Sequence, residues 1–211
     1  MIRIIGVAIL IQGAVGSLAC VRAAEALAPP FGLKWGDAPN SLVNWALKAK
    51  LDQTVKSPAE QPRLKILMIS HATGSLPKHE ATMLEARFMD GRLFEVALHY
   101  GYPGQSADFV RGKFNALKGI LSRRHGVFRL SGNKREGPLD GIITRSSGYR
   151  IDPTSDEHLV LAFTEVVDAR RGDAAARFSV MYHSAAVLAG NGERIVIRRD
   201  GVDLPEGQRK R

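Results

Sequence analysis

Residues 81–100 read Ala81-Thr82-Met83-Leu84-Glu85-Ala86-Arg87-Phe88-Met89-Asp90-Gly91-Arg92-Leu93-Phe94-Glu95-Val96-Ala97-Leu98-His99-Tyr100, and their pattern decides the fold. Thr82, Leu84, Ala86 and Phe88 alternate on the first arm, and Phe94, Val96, Leu98 and Tyr100 on the second. Period-two alternation marks a strand with one buried face, and Asp90-Gly91 between two such arms marks a hairpin. A two-residue loop would set Phe94 opposite Arg87 and split the apolar sets between the faces. A three-residue loop, Met89-Asp90-Gly91, instead pairs Ala86 with Phe94 and Leu84 with Val96. It also puts Gly91 at a left-handed position, where glycine is preferred. Parity therefore predicts the three-residue register and a positive φ at Gly91.

Downstream, Gly101-Tyr102-Pro103-Gly104 ends the strand, and Ser106 or Asp108 can cap a helix. Val110, Phe114, Leu117 and Leu121 give that helix its buried stripe, and Gly126 suits its C-terminal end. A short strand is expected at 127–130, then a loop at 131–141 rich in Gly and charge. Strands follow at 142–151, 158–167 and 177–183, with a turn at Ala169 to Asp173. Upstream, Asp37 is the expected N-cap of a helix that carries Pro39 in its first turn and Leu42, Trp45, Ala46 and Ala49 at helical spacing. Lys50 to Pro62 reads as a loop, Arg63 to His71 as a strand, and Ala72 to His79 as a loop. The expectation is an α+β fold: a mostly antiparallel sheet of five or six strands with two main helices. No sequence repeat stands out.

The chain has 211 residues, 45% hydrophobic and 24% charged, which is globular composition and enough for a core without staples. Met1-Ile2-Arg3 precedes an apolar run from Ile4 to Val15 and then small residues, the pattern of a secretory signal too short to span a bilayer comfortably. Cleavage after Ala23 is expected, with Ala26 the next choice. The organisation expected is a signal peptide at 1–23, one domain at 24–190, and a strand near Arg194 to Ile197 within a basic tail at 191–211. That address is periplasmic or secreted, with no transmembrane span in the mature chain. Cys20, the only cysteine, excludes a disulfide framework. Ser17-Leu18-Ala19-Cys20 resembles a lipobox with Ser where Leu is usual, so lipidation at Cys20 is the alternative fate.

The opening Phe31-Gly32-Leu33-Lys34-Trp35-Gly36-Asp37-Ala38-Pro39 resembles the F-G-x-x-W/F-G-x-x-P start of secreted bacterial domains of uncharacterised function. Phe88-Met89-Asp90-Gly91-Arg92-Leu93 is similar to the central hairpin of those domains. A looser resemblance is to SmpA/BamE-like envelope domains, small α+β modules with a helix pair and a three-stranded sheet. That likeness implies a scaffold and brings no functional residue with it.

Motifs with chemistry are scarce. The sequence has no G-x-S-x-G, no G-x-x-x-x-G-K-[ST], no G-x-G-x-x-G and no H-E-x-x-H, so it implies no cofactor and no metal. Ser70-His71 and His79-Glu80 flank a loop with Thr73 and Ser75, and His99 ends a strand. These residues are the material for the alternative function, a small periplasmic hydrolase using a serine–histidine pair.

Charge placement is the strongest signal. Lys and Arg outnumber Asp and Glu by 30 to 21, a net charge of +9, and loss of Arg3 and Arg22 with the signal leaves about +7. Arg111, Lys113, Lys118, Arg123, Arg124, Arg129, Lys134 and Arg135 fall in one stretch without a single acid. Arg111, Lys113, Lys118, Arg123, Arg124 and Arg129 are the candidate residues for an anionic partner, either the envelope surface or an acidic protein. Export argues against nucleic acid as the partner. Arg111 and Lys118 are expected on one helix face opposite the Phe114 stripe, where replacing both should leave the fold intact. The function expected is an exported, non-enzymatic binding or envelope-scaffold module with a basic face.

Overall fold

The structure is a computed structural model that describes residues 26–72 and 74–189; the expected signal, Cys20 and the expected strand at Arg194 to Ile197 lie outside the described residues. The described chain forms one eight-stranded antiparallel sheet, in the order β1-β2-β3-β4-β8-β7-β6-β5, with three helices. The elements are α1 (Pro39–Lys48), β1 (Asp52–Lys56), β2 (Leu64–Ser70), β3 (Met83–Met89), β4 (Arg92–Gly101) and α2 (Ala107–His125). They continue with β5 (Arg129–Leu139), β6 (Ile142–Ile151), β7 (Glu157–Asp168), β8 (Asp173–Ser184) and α3 (Ala186–Ala189). The expectation of five or six strands with two main helices is thus corrected to a fold that is mostly sheet. The strand not expected is the edge β1, and at the other edge the short strand expected at 127–130 runs on as β5. β1 (Asp-Gln-Thr-Val-Lys) and β5 are exposed along nearly their whole length, so both faces are polar and no alternation betrays them. The stretches expected as loops at 50–62 and 131–141 contain β1 and the greater part of β5.

The element order is a repeat: one helix then four meandering strands, twice, the halves joined by β4 against β8. The chain must therefore travel from the middle of the sheet to its far edge between β4 and β5. A 19-residue helix is about 28 Å long, enough to cross four strand spacings of about 4.8 Å. α2 makes that crossing, and Val110, Phe114 and Leu121 are buried beneath it. Ser106 caps it as expected, its hydroxyl accepting from the Phe109 amide at 3.2 Å, and Gly126 closes it at φ 105. α1 is not capped by Asp37. Ala38 takes that place, and the Asp37 carboxylate accepts from the Lys34 amide at 2.8 Å.

Both long helices contribute to the same core as one face of the sheet. That face carries Leu67, Ile69, Leu84, Ala86, Phe88, Val96, Leu98, Phe178, Val180, Leu159 and Leu161. The central hairpin reaches the expected facing by a different device. Its turn has two residues, Asp90 at φ 51 and Gly91 at φ 74, and Met89 pairs with Arg92. A β-bulge beside Arg87 and Phe88 restores parity, giving Phe88↔Leu93, Ala86↔Val96 and Leu84↔Leu98 in place of the expected register. Phe94 is the extra residue and is buried in a separate cluster with Leu64 and Met89, against Val187 and Leu188 of α3.

The opposite face bears charge. Glu85, Arg87, Glu95, His99, His183, His158 and Arg150 occupy facing or adjacent positions on β3, β4, β8, β7 and β6. Among the described residues, no helix is long and apolar enough to cross a membrane.

Candidate functional site

At the sheet end reached by the first turns of α2, the strands run past the helix and leave an open cleft. Its volume is about 430 Å³, and it is lined by Arg111, Asn133, Lys134, Arg135, Arg145, Ser146, Ser147, Phe163 and Glu165. The positions follow from strand register. Glu165, Arg145 and Arg135 are paired in sequence across β7, β6 and β5, so all three project on the helix-bearing face. Arg111 comes down from α2. Its guanidinium donates to Glu165 at 2.7 Å and lies 4.9 Å from the centre of the Phe163 ring. Arg145 donates to the other Glu165 oxygen at 3.4 Å. Glu165 is 8% exposed. One carboxylate is therefore clamped by two guanidiniums, and Arg135 adds positive charge nearby, while Lys134 is paired with Glu136 at 2.6 Å. With Lys134 neutralised by Glu136, the cleft sets three guanidiniums against the one acid Glu165.

This arrangement is suited to a phosphate or carboxylate. A guanidinium presents planar, paired donors that match such groups, and fixing it on an aromatic ring removes freedom that binding would otherwise have to remove. Asn133, Ser146 and Ser147 supply neutral polar groups at the wall. Large apolar side chains stand exposed along the same edge: Val127, Leu130, Leu139 and Ile142.

The six residues singled out in sequence do not form one patch. Arg111 lines the cleft. Lys113 donates to the Glu80 carboxylate at 2.9 Å, on the other side of α2. Lys118 sits 3.5 Å from the centre of the Tyr149 ring. Arg123 lies along the helix beside Gly119, Arg124 is near Tyr182, and Arg129 faces Arg150 across β5–β6. Arg111 and Lys118 share a helix face as expected, but it borders the buried stripe and does not oppose it. Both cations rest on aromatic residues of the sheet, and replacing both removes packing as well as charge. Arg145 and Glu165 were missed in sequence because their strands lie outside the basic run. The available signal was Glu165 itself, an acid in the apolar phase of Leu159-Val160-Leu161-Ala162-Phe163.

A second concavity, about 340 Å³, opens on the other side of α2 between the helix and the 76–80 loop. It is lined by Lys78, His79, Glu80, Tyr100, Tyr102, Lys113, Ala116, Leu117, Ile120 and Phe178. Tyr100 and Phe178 are stacked, centroids 4.5 Å apart, and form its floor. At its rim Glu80 accepts from Lys113 and from the Tyr102 hydroxyl, and these two bonds hold its carboxyl below the ordinary range. Burial lowers the pKa of His79 and raises that of Tyr100, so both are neutral near pH 7.

Two histidines of the hydrolase reading, His79 and His99, stand on opposite faces of the sheet. Nδ1 of His79 accepts from the Ala81 amide at 3.0 Å, and the ring stands between Phe31 and Tyr100 on the helix face. His99 is on the opposite face, 3.7 Å from Glu85. Among the described residues, no three His, Cys, Asp or Glu side chains gather as a metal site. Compared with protein families, curated proteins and solved structures, the chain matches none.

Proposed function

We propose that the chain is an exported, non-enzymatic binding module that attaches to a phosphate-bearing envelope surface through the Arg111–Arg135–Arg145 cleft. The observation that carries this reading is the clamp itself: two guanidiniums share Glu165 and, with Arg135, leave positive charge in excess. The exposed Val127 and Leu130 at the start of β5 add apolar side chains to the same edge strand as Arg135, a mixture that a lipid interface takes up. The basic start and apolar run of residues 1–15 support export.

Co-sedimentation with phosphatidylcholine vesicles containing phosphatidylglycerol tests the reading. The Arg135→Gln/Arg145→Gln variant should bind more weakly by about 1 kcal/mol per charge. The parent's binding should also fall between 0.1 M and 1 M salt, as the Debye length shrinks from about 10 Å to about 3 Å. Equal sedimentation of parent and variant, or none by either, sinks it.

A further inference from the structure

We propose that the cleft between α2 and the 76–80 loop is a second ligand site, for a small aromatic carboxylic acid. It is independent of the basic cleft, from which α2 separates it.

Three observations combine. The floor is a stacked aromatic pair, Tyr100 over Phe178, with Leu117 and Ile120 as aliphatic walls, a surface on which a planar ring packs well. The volume, about 340 Å³, lies in the range of small-molecule sites. The third observation concerns the polar groups. Tyr100 is 5% exposed, and its hydroxyl oxygen is not among the fully enclosed unpartnered atoms of the described residues. The hydroxyl oxygen is not fully enclosed, and as a group lining the cleft it is a donor open to whatever enters. Because Nδ1 of His79 accepts from the Ala81 amide, its neutral ring carries the proton on Nε2, a second donor lining the cleft. Lys113 stands at the rim, engaged with Glu80.

The lining therefore offers two neutral donors and an ammonium group around an apolar floor, and the acceptor-rich end that complements it is a carboxylate. The Lys113–Glu80 bridge is the competing interaction. A bound carboxylate takes a share of Lys113 from Glu80, which remains bonded to Tyr102.

Titration calorimetry with 4-phenylbutyrate, alongside amide chemical-shift mapping, makes the test. The expected result is saturable binding with shifts confined to residues 78–82 and 113–120. Tyr100→Phe keeps the ring and removes only the hydroxyl, so affinity should fall about 3- to 10-fold. Ala116 is solvent-facing on α2 and lines the cleft, so Ala116→Trp should fill the space and abolish binding while leaving the melting temperature within a few degrees of the parent. The uncharged 4-phenylbutan-1-ol should bind at least about 5-fold more weakly than the acid. Absence of heat and shifts at 10 mM acid overturns the proposal, as does unchanged affinity in both variants. Should Ala116→Trp fail to fold, the isosteric Tyr100→Phe decides alone.

Discussion

Glu95 and His183 face one another across the β4–β8 pair, Oε2 to Nδ1 3.0 Å, in a position where Glu95 is only 2% exposed. This contact ties together the two helix-and-meander halves on the side of the sheet away from α1 and α2. It has neighbours on both sides. Arg87 lies 3.5 Å from the other Glu95 oxygen and donates to Glu85 at 2.7 Å. The His183 ring stacks on His158 at 5.3 Å, and Arg150 donates to Nδ1 of His158 at 2.9 Å. Truncating one member of a buried, charged network leaves the rest desolvated and unmatched. Glu95→Ala should therefore destabilise the fold by about 3–5 kcal/mol, whereas Glu95→Gln, which still accepts from His183, should cost about half of that. Urea unfolding of both variants measures the difference. A loss below about 1 kcal/mol in Glu95→Ala would show that the seam does not depend on this pair.

Acid should weaken the protein in two stages. Burial, then the nearby Arg150 charge, pushes the His158 pKa below its ordinary value, and burial does the same to His79. The unfolded chain therefore binds protons near pH 6.5 that the folded chain does not, and stability is lost as pH falls from about 6.5 through the folded values. Glu85 follows lower down. His99, and then Arg87, hold its carboxyl down to about 2 against an ordinary 4.5. Its contribution is present above about pH 4.5 and drains away towards pH 2, on the order of 2 kcal/mol once partial solvent screening is allowed for. Urea midpoints from pH 8 to pH 2.5 should show both stages, and Glu85→Gln should flatten only the second. A profile flat between pH 7 and pH 5 would contradict the histidine assignment.

In the β3–β4 turn, Asp90 and Gly91 both have positive φ, and a Cβ at Gly91 would meet nothing within 4 Å. Gly91→Val should thus lose about 1–2 kcal/mol through backbone strain alone, read as a lower urea midpoint with an unchanged m value. An unchanged midpoint would remove the strain argument.

That hairpin also shows what the sequence discloses. Its alternation located β3 and β4, and Asp90-Gly91 located the turn, because both signals are local. The bulge at Phe94 is not local. It is favoured by the pocket that Leu64, Met89 and α3 provide, and Leu64 and α3 arrive from distant parts of the chain. Likewise β7 and β8 were legible because one face is buried over part of their length, while β1 and β5 are wet on both. The helix-and-meander repeat leaves no trace in sequence, since each half needs only the right pattern of buried positions. The basic run pointed to Arg111, but Arg145 and Glu165 reach it only through strand pairing.

The fold sets a limit on processing of the N-terminus. Leu27 is 1% exposed, its amide donates to Glu157 at 2.9 Å, and its carbonyl accepts from the Trp35 indole at 2.6 Å. A cut after Ala23 leaves this anchor inside the chain. N-terminal sequencing of protein from the native host should find Ala24 first. A mature start beyond Leu27, or an intact Met1 in soluble cytoplasm, would defeat the export argument.

The clamp on Glu165 yields the sharpest test of the basic cleft, because two substitutions within it should change binding in opposite directions. Glu165 neutralises part of the charge of Arg111 and Arg145, and any incoming phosphate must compete with it. Glu165→Gln keeps an acceptor for Arg111 but removes the negative charge, so affinity for phosphatidylglycerol vesicles should rise by about 1 kcal/mol. The gain should vanish at 1 M salt. Stability should fall by about 1–2 kcal/mol, since a charge-assisted bond is exchanged for a neutral one. Arg111→Gln should lower stability too, through the lost contacts to Glu165 and to the Phe163 ring, but it should weaken vesicle binding. Loss of fold lowers binding for both variants, so only a charge effect at the cleft produces the opposite signs. Weaker binding by Glu165→Gln, with its far-ultraviolet circular dichroism unchanged, would place the anionic contact elsewhere on the molecule.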